Sequence, residues 1–352
     1  MEQIRKKELT KKETQKRLLK RLSAPHPTAL ILFSSLAVLI IVMIVSLSIG
    51  AASVTWETIA DSFLSFDETN TSHLILRDLR VPRVLAAALV GAFLAVSGVI
   101  MQALTLNPLA SPSIMGVTSG SAFMLALAFA FYPQSNYYQL IMWSFSGAAL
   151  GAGMVFLIGS FSKRGLTPVK LALAGAAVSA LLQSLSTIIA IHFNVARDIT
   201  FWYAGGVAGV RMETVRIAGI IAVVVLAAAF MLSRSLTIMG LGEEMARGLG
   251  VKIGRLKVIS TLIVLLLTGA AVSIAGTVGF IGLVIPHISK KVMGLDYRWV
   301  LPSSAVFGAL LLVIADIAAR TINIPYETPV GALTALIGVP FFLFLARKEG
   351  RG

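Results

Sequence analysis

No cysteine occurs in the sequence, so disulfides, thiol nucleophiles and cysteine-held metal centres are all excluded. Charge is nearly as scarce. Asp, Glu, Lys and Arg make up 13% of the chain, about half of the roughly 25% usual in soluble domains. There are only four histidines, His26, His73, His192 and His287, and 16 acidic residues. No H-E-x-x-H, no pair of apposed carboxylates and no Gly-rich phosphate loop can be picked out. An intramembrane enzyme needs polar catalytic groups at depth, because ionisable residues there are costly and kept for work. These absences argue against an enzyme. They leave no catalytic residue, metal site or cofactor to assign, and no means for this chain to hydrolyse ATP itself.

What is abundant is hydrocarbon. Of the 352 residues, 57% are hydrophobic, and apolar runs longer than about 18 residues mark bilayer-spanning helices. Ten such spans are expected, at 28–50, 84–104, 113–132, 140–161, 169–193, 214–232, 257–274, 277–293, 300–319 and 329–346. The fold class is therefore an all-α polytopic membrane protein with about ten transmembrane helices. A basic tail, 1–27, precedes the membrane domain, 28–346, and a short C-terminus, 347–352, follows it. The first span holds no charge and follows nine Lys and Arg residues, too long and basic a lead for an ordinary signal peptide, so it is read as uncleaved. The eighth is the weakest: GTVGFIGLVIPHI carries three Gly and a Pro, and a break or a partly extended stretch is expected there.

The formal charge of +14 does not point to nucleic acid, because the basic residues flank apolar spans and form no patch on a soluble domain. Lys and Arg do set an orientation. With the N-terminus in the cytoplasm, 23 of the 30 fall in inside segments, and ten spans put both termini there. Small residues recur at helix-packing spacing, with Gly116 and Gly120, Gly147 and Gly151, and Gly205 and Gly209 each four apart.

Three stretches call for a role. LGEEMARGLGV, Leu241 to Val251, lies between two spans on the expected cytoplasmic side. Read as a helix, it sets Leu241, Met245 and Leu249 on one stripe, with Glu243 and Glu244 near its start and Arg247 near its end, as a helix dipole favours. Gly250 stands where a helix stop is expected. RDLRVPRVL puts Arg77, Arg80 and Arg83 three apart on the outer side. Two readings stay open for them, snorkelling membrane anchors or docking points for an acidic protein surface, since guanidinium pairs well with carboxylates. In LLVIADIAAR, Asp316 and Arg320 are four apart, the spacing of a local ion pair. Coupling to protons through Asp316 is the alternative there.

Taken together, LRVPRVLAAALVGAFLAVSGVIMQALTLNPLASPSIMGVTSGSAF, LALAG, LGEEMARGLGVKIGRLK, GTVGFIGLVIPHI, ADIAAR and ETPVGALTALIGVPFF, in order over Leu79 to Phe342, resemble the permease subunits of type II ATP-binding-cassette importers for iron-siderophores and cobalamin. The resemblance implies a dimer of permeases, identical or related, in the bacterial cytoplasmic membrane, driven by separate ATPase subunits. It implies a coupling helix at about 241–250 (Leu241, Gly242, Glu243, Glu244, Met245, Arg247, Leu249, Gly250) seated on the ATPase. It further implies that Arg80, Arg83 and Arg320 meet acidic residues of an extracytoplasmic substrate-binding protein, with Arg77 auxiliary. The loop before LALAG, including Thr167, Pro168 and Val169, would be a cytoplasmic gate. The cargo favoured is a ferric siderophore, which needs no iron ligands from the protein. A cobalamin or haem importer is the alternative within the class, and an ion-coupled secondary transporter the rival outside it.

Overall fold

The computed structural model describes residues 25–50, 54–160, 168–204, 206–324 and 326–349, and among them every regular element is helical. In chain order these are α1 (Pro25–Ser48), α2 (Trp56–Leu64), α3 (Thr71–Thr105), α4 (Val117–Phe131), α5 (Tyr137–Ser160), α6 (Pro168–His192) and α7 (Ala196–Ala204). They continue with α8 (Met212–Met231), α9 (Ser233–Met239), α10 (Glu243–Gly248), α11 (Ile253–Ala275), α12 (Ile281–Met293), α13 (Tyr297–Thr321) and α14 (Val330–Glu349). Seven of them (α1, α3, α5, α6, α8, α11 and α13) are long and apolar enough to cross a membrane. Two expected spans, 113–132 and 329–346, coincide with the shorter apolar helices α4 and α14.

The eighth expected span is shorter as a helix than as an apolar run. Residues 277–280 are not helical, and α12 starts only at Ile281, after Phe280 at φ 67. Gly276, at φ 63, and Gly279 account for this, because glycine lowers the cost of leaving the helix there, whereas Pro286 is carried inside α12. The second expected span is longer than its apolar run. The loop before it is largely structured, and α3 already begins at Thr71, passing through a π-turn at Ile75–Arg80.

α3 is the axis of the fold. It packs against α13, α11 and α12, and it is the most deeply buried of the long helices, whereas α1 is the least. Close approach is what makes this possible. A Cβ on Gly91 would overlap the carbonyl oxygen of Gly308 in α13, and one on Gly98 would overlap that of Gly282 in α12. The glycine pairs read from the sequence prove to be two halves of one contact: Gly120 of α4 lies against Gly147 of α5, and Gly116 lies against Gly151. In lipid, where burial of hydrocarbon gives helices no net drive to associate, such backbone proximity is a main source of attraction. A Cβ on Gly209 would meet nothing within 4 Å, and Gly205 lies outside the described residues.

Candidate functional site

The carboxyl end of α13 carries a buried ionic cluster. Arg83, near the start of the α-helical part of α3, donates from Nε to Asp316 Oδ1 at 2.9 Å and from its two Nη atoms to Glu327 at 2.7 and 3.1 Å. Arg320 lies one turn beyond Asp316, with Nη2 3.0 Å from Asp316 Oδ2. That contact is an ion pair by distance but lacks hydrogen-bond geometry. The pairing expected four residues apart is therefore present, and Arg83 shares the same carboxylate. The side chain of Asp316 is 1% exposed, while that of Glu327 is 48% exposed.

Three arginines against two carboxylates leave one positive charge over, and α1 supplies the balance. Arg320 Nη1 donates to the carbonyls of Ser46 and Ile49 at 3.2 and 2.8 Å, and its Nη2 reaches Ser46 Oγ. Arg80 Nη1 donates to the Leu47 carbonyl at 2.6 Å. These are the last carbonyls of α1, which have no partner within the helix and carry the negative end of its dipole. The arginines thus tie down a helix that is otherwise thinly packed.

This differs from the arrangement expected of Arg80, Arg83 and Arg320. The sequence set them on an open outer face, yet all three are buried and paired within the chain. The physical reason is desolvation: a guanidinium leaves water only where carboxylates and carbonyls replace it. Arg77 alone of the outer four-residue set stays exposed, with its guanidinium 4.4 Å over the Phe66 ring. Sequence reasoning did not find Glu327 or Ser46 as members of this cluster. The only available signal was an acid in ETPVGAL close after an arginine-bearing span.

Helix α13 has 25 residues, so its two ends stand about 37 Å apart at 1.5 Å per residue. Near the amino end lies α9, whose Thr237 Oγ1 accepts from the Tyr297 amide, and α10 follows α9. The helix in LGEEMARGLGV is shorter than expected, six residues from Glu243 to Gly248. Leu241 precedes it, separated by Gly242 at φ 109. The carboxyl stop at Gly250 is as read. Gly250 takes φ 82, its amide donates to Arg247 O, and the Val251 amide donates to Ala246 O, a paired closure that terminates the helix.

Glu243 is anchored by Lys257 Nζ at 3.1 Å and lies 3.6 Å from Arg247. Ala246 is fully buried beneath. The three large apolar side chains point elsewhere: Leu241, Met245 and Leu249 are 60%, 56% and 61% exposed. A short helix is thus clamped to α11 while its greasiest atoms face outward.

Of the expected gate, Thr167 lies outside the described residues, and Pro168 and Val169 open α6. Among the described residues no group of three or more potential metal ligands gathers.

Known proteins carry the same pattern. The chain is 56% identical over 330 residues, 94% of its length and 86% of the relative's, to the iron(3+)-hydroxamate import system permease protein FhuB of Bacillus subtilis (strain 168). It is 36% identical over 90% of its length and 95% of the relative's to the ferric enterobactin transport system permease protein FepD of Escherichia coli (strain K12). A chain solved in an inward-facing conformation, described as of the metal-chelate ABC transporter type, aligns with TM-score 0.79 at 32% identity, over 90% of this chain and 99% of that one. The description "FecCD transport family" is matched over residues 38–348. On sequence and fold alike, the chain belongs to the FecCD transport family.

Proposed function

We propose that the chain is the membrane-spanning permease subunit of an ATP-driven importer that translocates a ferric siderophore, delivered by a substrate-binding protein, across a bacterial cytoplasmic membrane. The observation that carries this is likeness along nearly the whole chain to permeases named for iron-chelate import. In this reading α12 and the shorter α4 and α14 complete ten spans, and both termini lie in the cytoplasm. The chain holds no cofactor; ATP is consumed by separate ATPase subunits, and a second permease, identical or related, completes the pathway.

The ATPase seats on α10. Leu241, Met245 and Leu249 give it an apolar contact, and the anchoring of Glu243 by Lys257 transmits its push to α11. On the opposite side the binding protein docks at the arginine cluster. Because Arg83 is already paired, docking there is an exchange: an acidic group of the binding protein takes the place of the half-exposed Glu327. The ion-coupled alternative rested on Asp316, and two arginines occupy that carboxylate in the structure.

Uptake of a radio-iron chelate into vesicles carrying the assembled importer tests the reading. It should stop when ATP is depleted and persist when an uncoupler collapses the proton gradient. The reverse pattern would replace this reading with a secondary transporter.

A further inference from the structure

Helix α2 (Trp56–Leu64), between the first two long helices, has a face that the rest of the chain leaves bare. Trp56, Ala60, Phe63 and Leu64 recur at i, i+4, i+7 and i+8, which is one stripe of a helix. Trp56, Phe63 and Leu64 are 57%, 62% and 84% exposed, and Ala60 is exposed among them. Ile59 and Ser62 are buried on the side turned to the protein. Glu57 and Asp61 are exposed and follow the stripe on its other flank. The helix thus has three sectors, one packed, one acidic and one apolar without cover.

This stripe is held in place. Thr55 caps α2, its Oγ1 accepting from the Thr58 amide at 3.2 Å. The Asp67 amide donates to Nδ1 of the buried His73 at 3.1 Å, which ties the segment after α2 to the first turn of α3. α2 itself packs against both α1 and the beginning of α3. Its level follows from α1. The apolar stretch Thr28–Ser48 has 21 helical residues, about 31 Å at 1.5 Å per residue. That matches the roughly 30 Å hydrocarbon core of a bilayer. Ser48 therefore comes at one edge of the hydrocarbon, and α2, in contact with α1, lies beside that edge. Phe33, Ile40 and Ile44 on α1 are exposed as well, so the bare face of α2 continues a lipid-facing surface.

A protein partner fits this face less well. The binding protein proposed above offers carboxylates to arginines, whereas the only charges on α2 are Glu57 and Asp61, which would repel it. We infer that α2 is an interfacial helix whose partner is the bilayer. Trp56, Ala60, Phe63 and Leu64 enter the boundary between headgroups and acyl chains, while Glu57 and Asp61 stay in water. With no Lys or Arg on α2, hydrocarbon makes the contact and headgroup charge does not. In the orientation proposed above the leaflet is the outer one, but the contact itself does not rest on that orientation.

The lack of native cysteine allows a nitroxide to be set singly at Phe63→Cys or Leu64→Cys. Asp61→Cys serves as the water reference and Ile44→Cys as the lipid reference. Each is placed in the complete importer, with cysteine-free partner subunits, in nanodiscs, and chelate uptake reports assembly. Collision of the label with oxygen, which dissolves in lipid, is compared with collision with a neutral nickel chelate, which does not. At Phe63→Cys and Leu64→Cys nickel collision should be at least about fivefold lower than at Asp61→Cys, with oxygen collision no lower. Discs of phosphatidylcholine alone and discs with about one third phosphatidylglycerol should agree within roughly twofold, because the contact is apolar. Either position alone decides the matter. Nickel collision equal to that at Asp61→Cys would place the stripe in water and overturn the inference. Low collision with both reagents would mean that protein covers it, the second permease if seen in the resting importer and the binding protein if seen only on its addition. Protection that requires the anionic lipid would equally overturn an apolar contact. Each of these leaves the permease reading intact, whereas an unmodified importer that moves no ferric chelate would overturn that reading and leave the collision result standing.

Discussion

The arginine cluster and α10 stand at opposite ends of α13, and the structure treats them in opposite ways. Arg80, Arg83 and Arg320 are strongly polar, yet they are buried and satisfied inside the chain. Leu241, Met245 and Leu249 are strongly apolar, yet they are exposed. Water would reverse both placements for a chain acting alone. What a fold does with a residue against its solvation preference therefore carries more information than the residue type: the arginines serve the chain first, and Leu241, Met245 and Leu249 are left uncovered by it.

The largest effect that would sharpen this contrast is expected from Asp316→Ala. It leaves two buried guanidinium groups short of a carboxylate, and breaking a buried pair in this way costs about 3–5 kcal/mol. The isolated permease should lose thermal stability in detergent, with no partner present. A variant melting like the parent would mean that the cluster does not hold the fold. Reversing Arg83 to Glu is consequently a poor probe of docking, since it would set a new carboxylate beside Asp316 and Glu327.

Arg320→Lys is expected to follow, at roughly 1–2 kcal/mol of stability, because an ammonium keeps the charge but cannot reach Ser46, Ile49 and Asp316 at once. The loss should show as easier proteolysis near the end of α1, and equal protection of the two proteins would count against the tie to that helix.

Glu327→Gln should act on partnership more than on fold. Arg83 keeps Asp316, so stability should fall by less than about 1 kcal/mol, as for other half-exposed pairs. Binding-protein affinity should rise severalfold if docking is an exchange of carboxylates. A fall in that affinity at low salt would instead make Glu327 part of the docking surface itself.

The smallest effect belongs to Glu243→Gln, which weakens the anchor to Lys257 by well under about 1 kcal/mol. The permease should melt as before while ATPase stimulation by loaded binding protein declines modestly, and full stimulation would remove Glu243 from the coupling path.

How much of this was legible follows from sequence separation. Gly250 ends its helix and Asp316 meets Arg320 because those contacts are local, so spacing alone reveals them. The glycine pairs Gly116 with Gly120 and Gly147 with Gly151 announced a packing surface, though not that they pack on each other. The break before Ile281 was readable from composition. The burial of the arginines was not. Arg83 and Asp316 lie 233 positions apart, and Arg320 and Ser46 lie 274 apart, and nothing in one sequence records which distant acid or carbonyl will be brought near.

The contrast is decided most directly by recovery of the ATPase on permease carrying Leu249→Asp, measured per folded permease. Leu249 is 61% exposed in the chain, so melting and membrane insertion should match the parent. A charge pressed into an apolar seat should cost several kcal/mol of association, on the order of a hundredfold or more in affinity. The account predicts a stable permease that no longer retains its ATPase. Normal ATPase recovery with unimpaired uptake would contradict it and make the exposed stripe of α10 irrelevant to coupling.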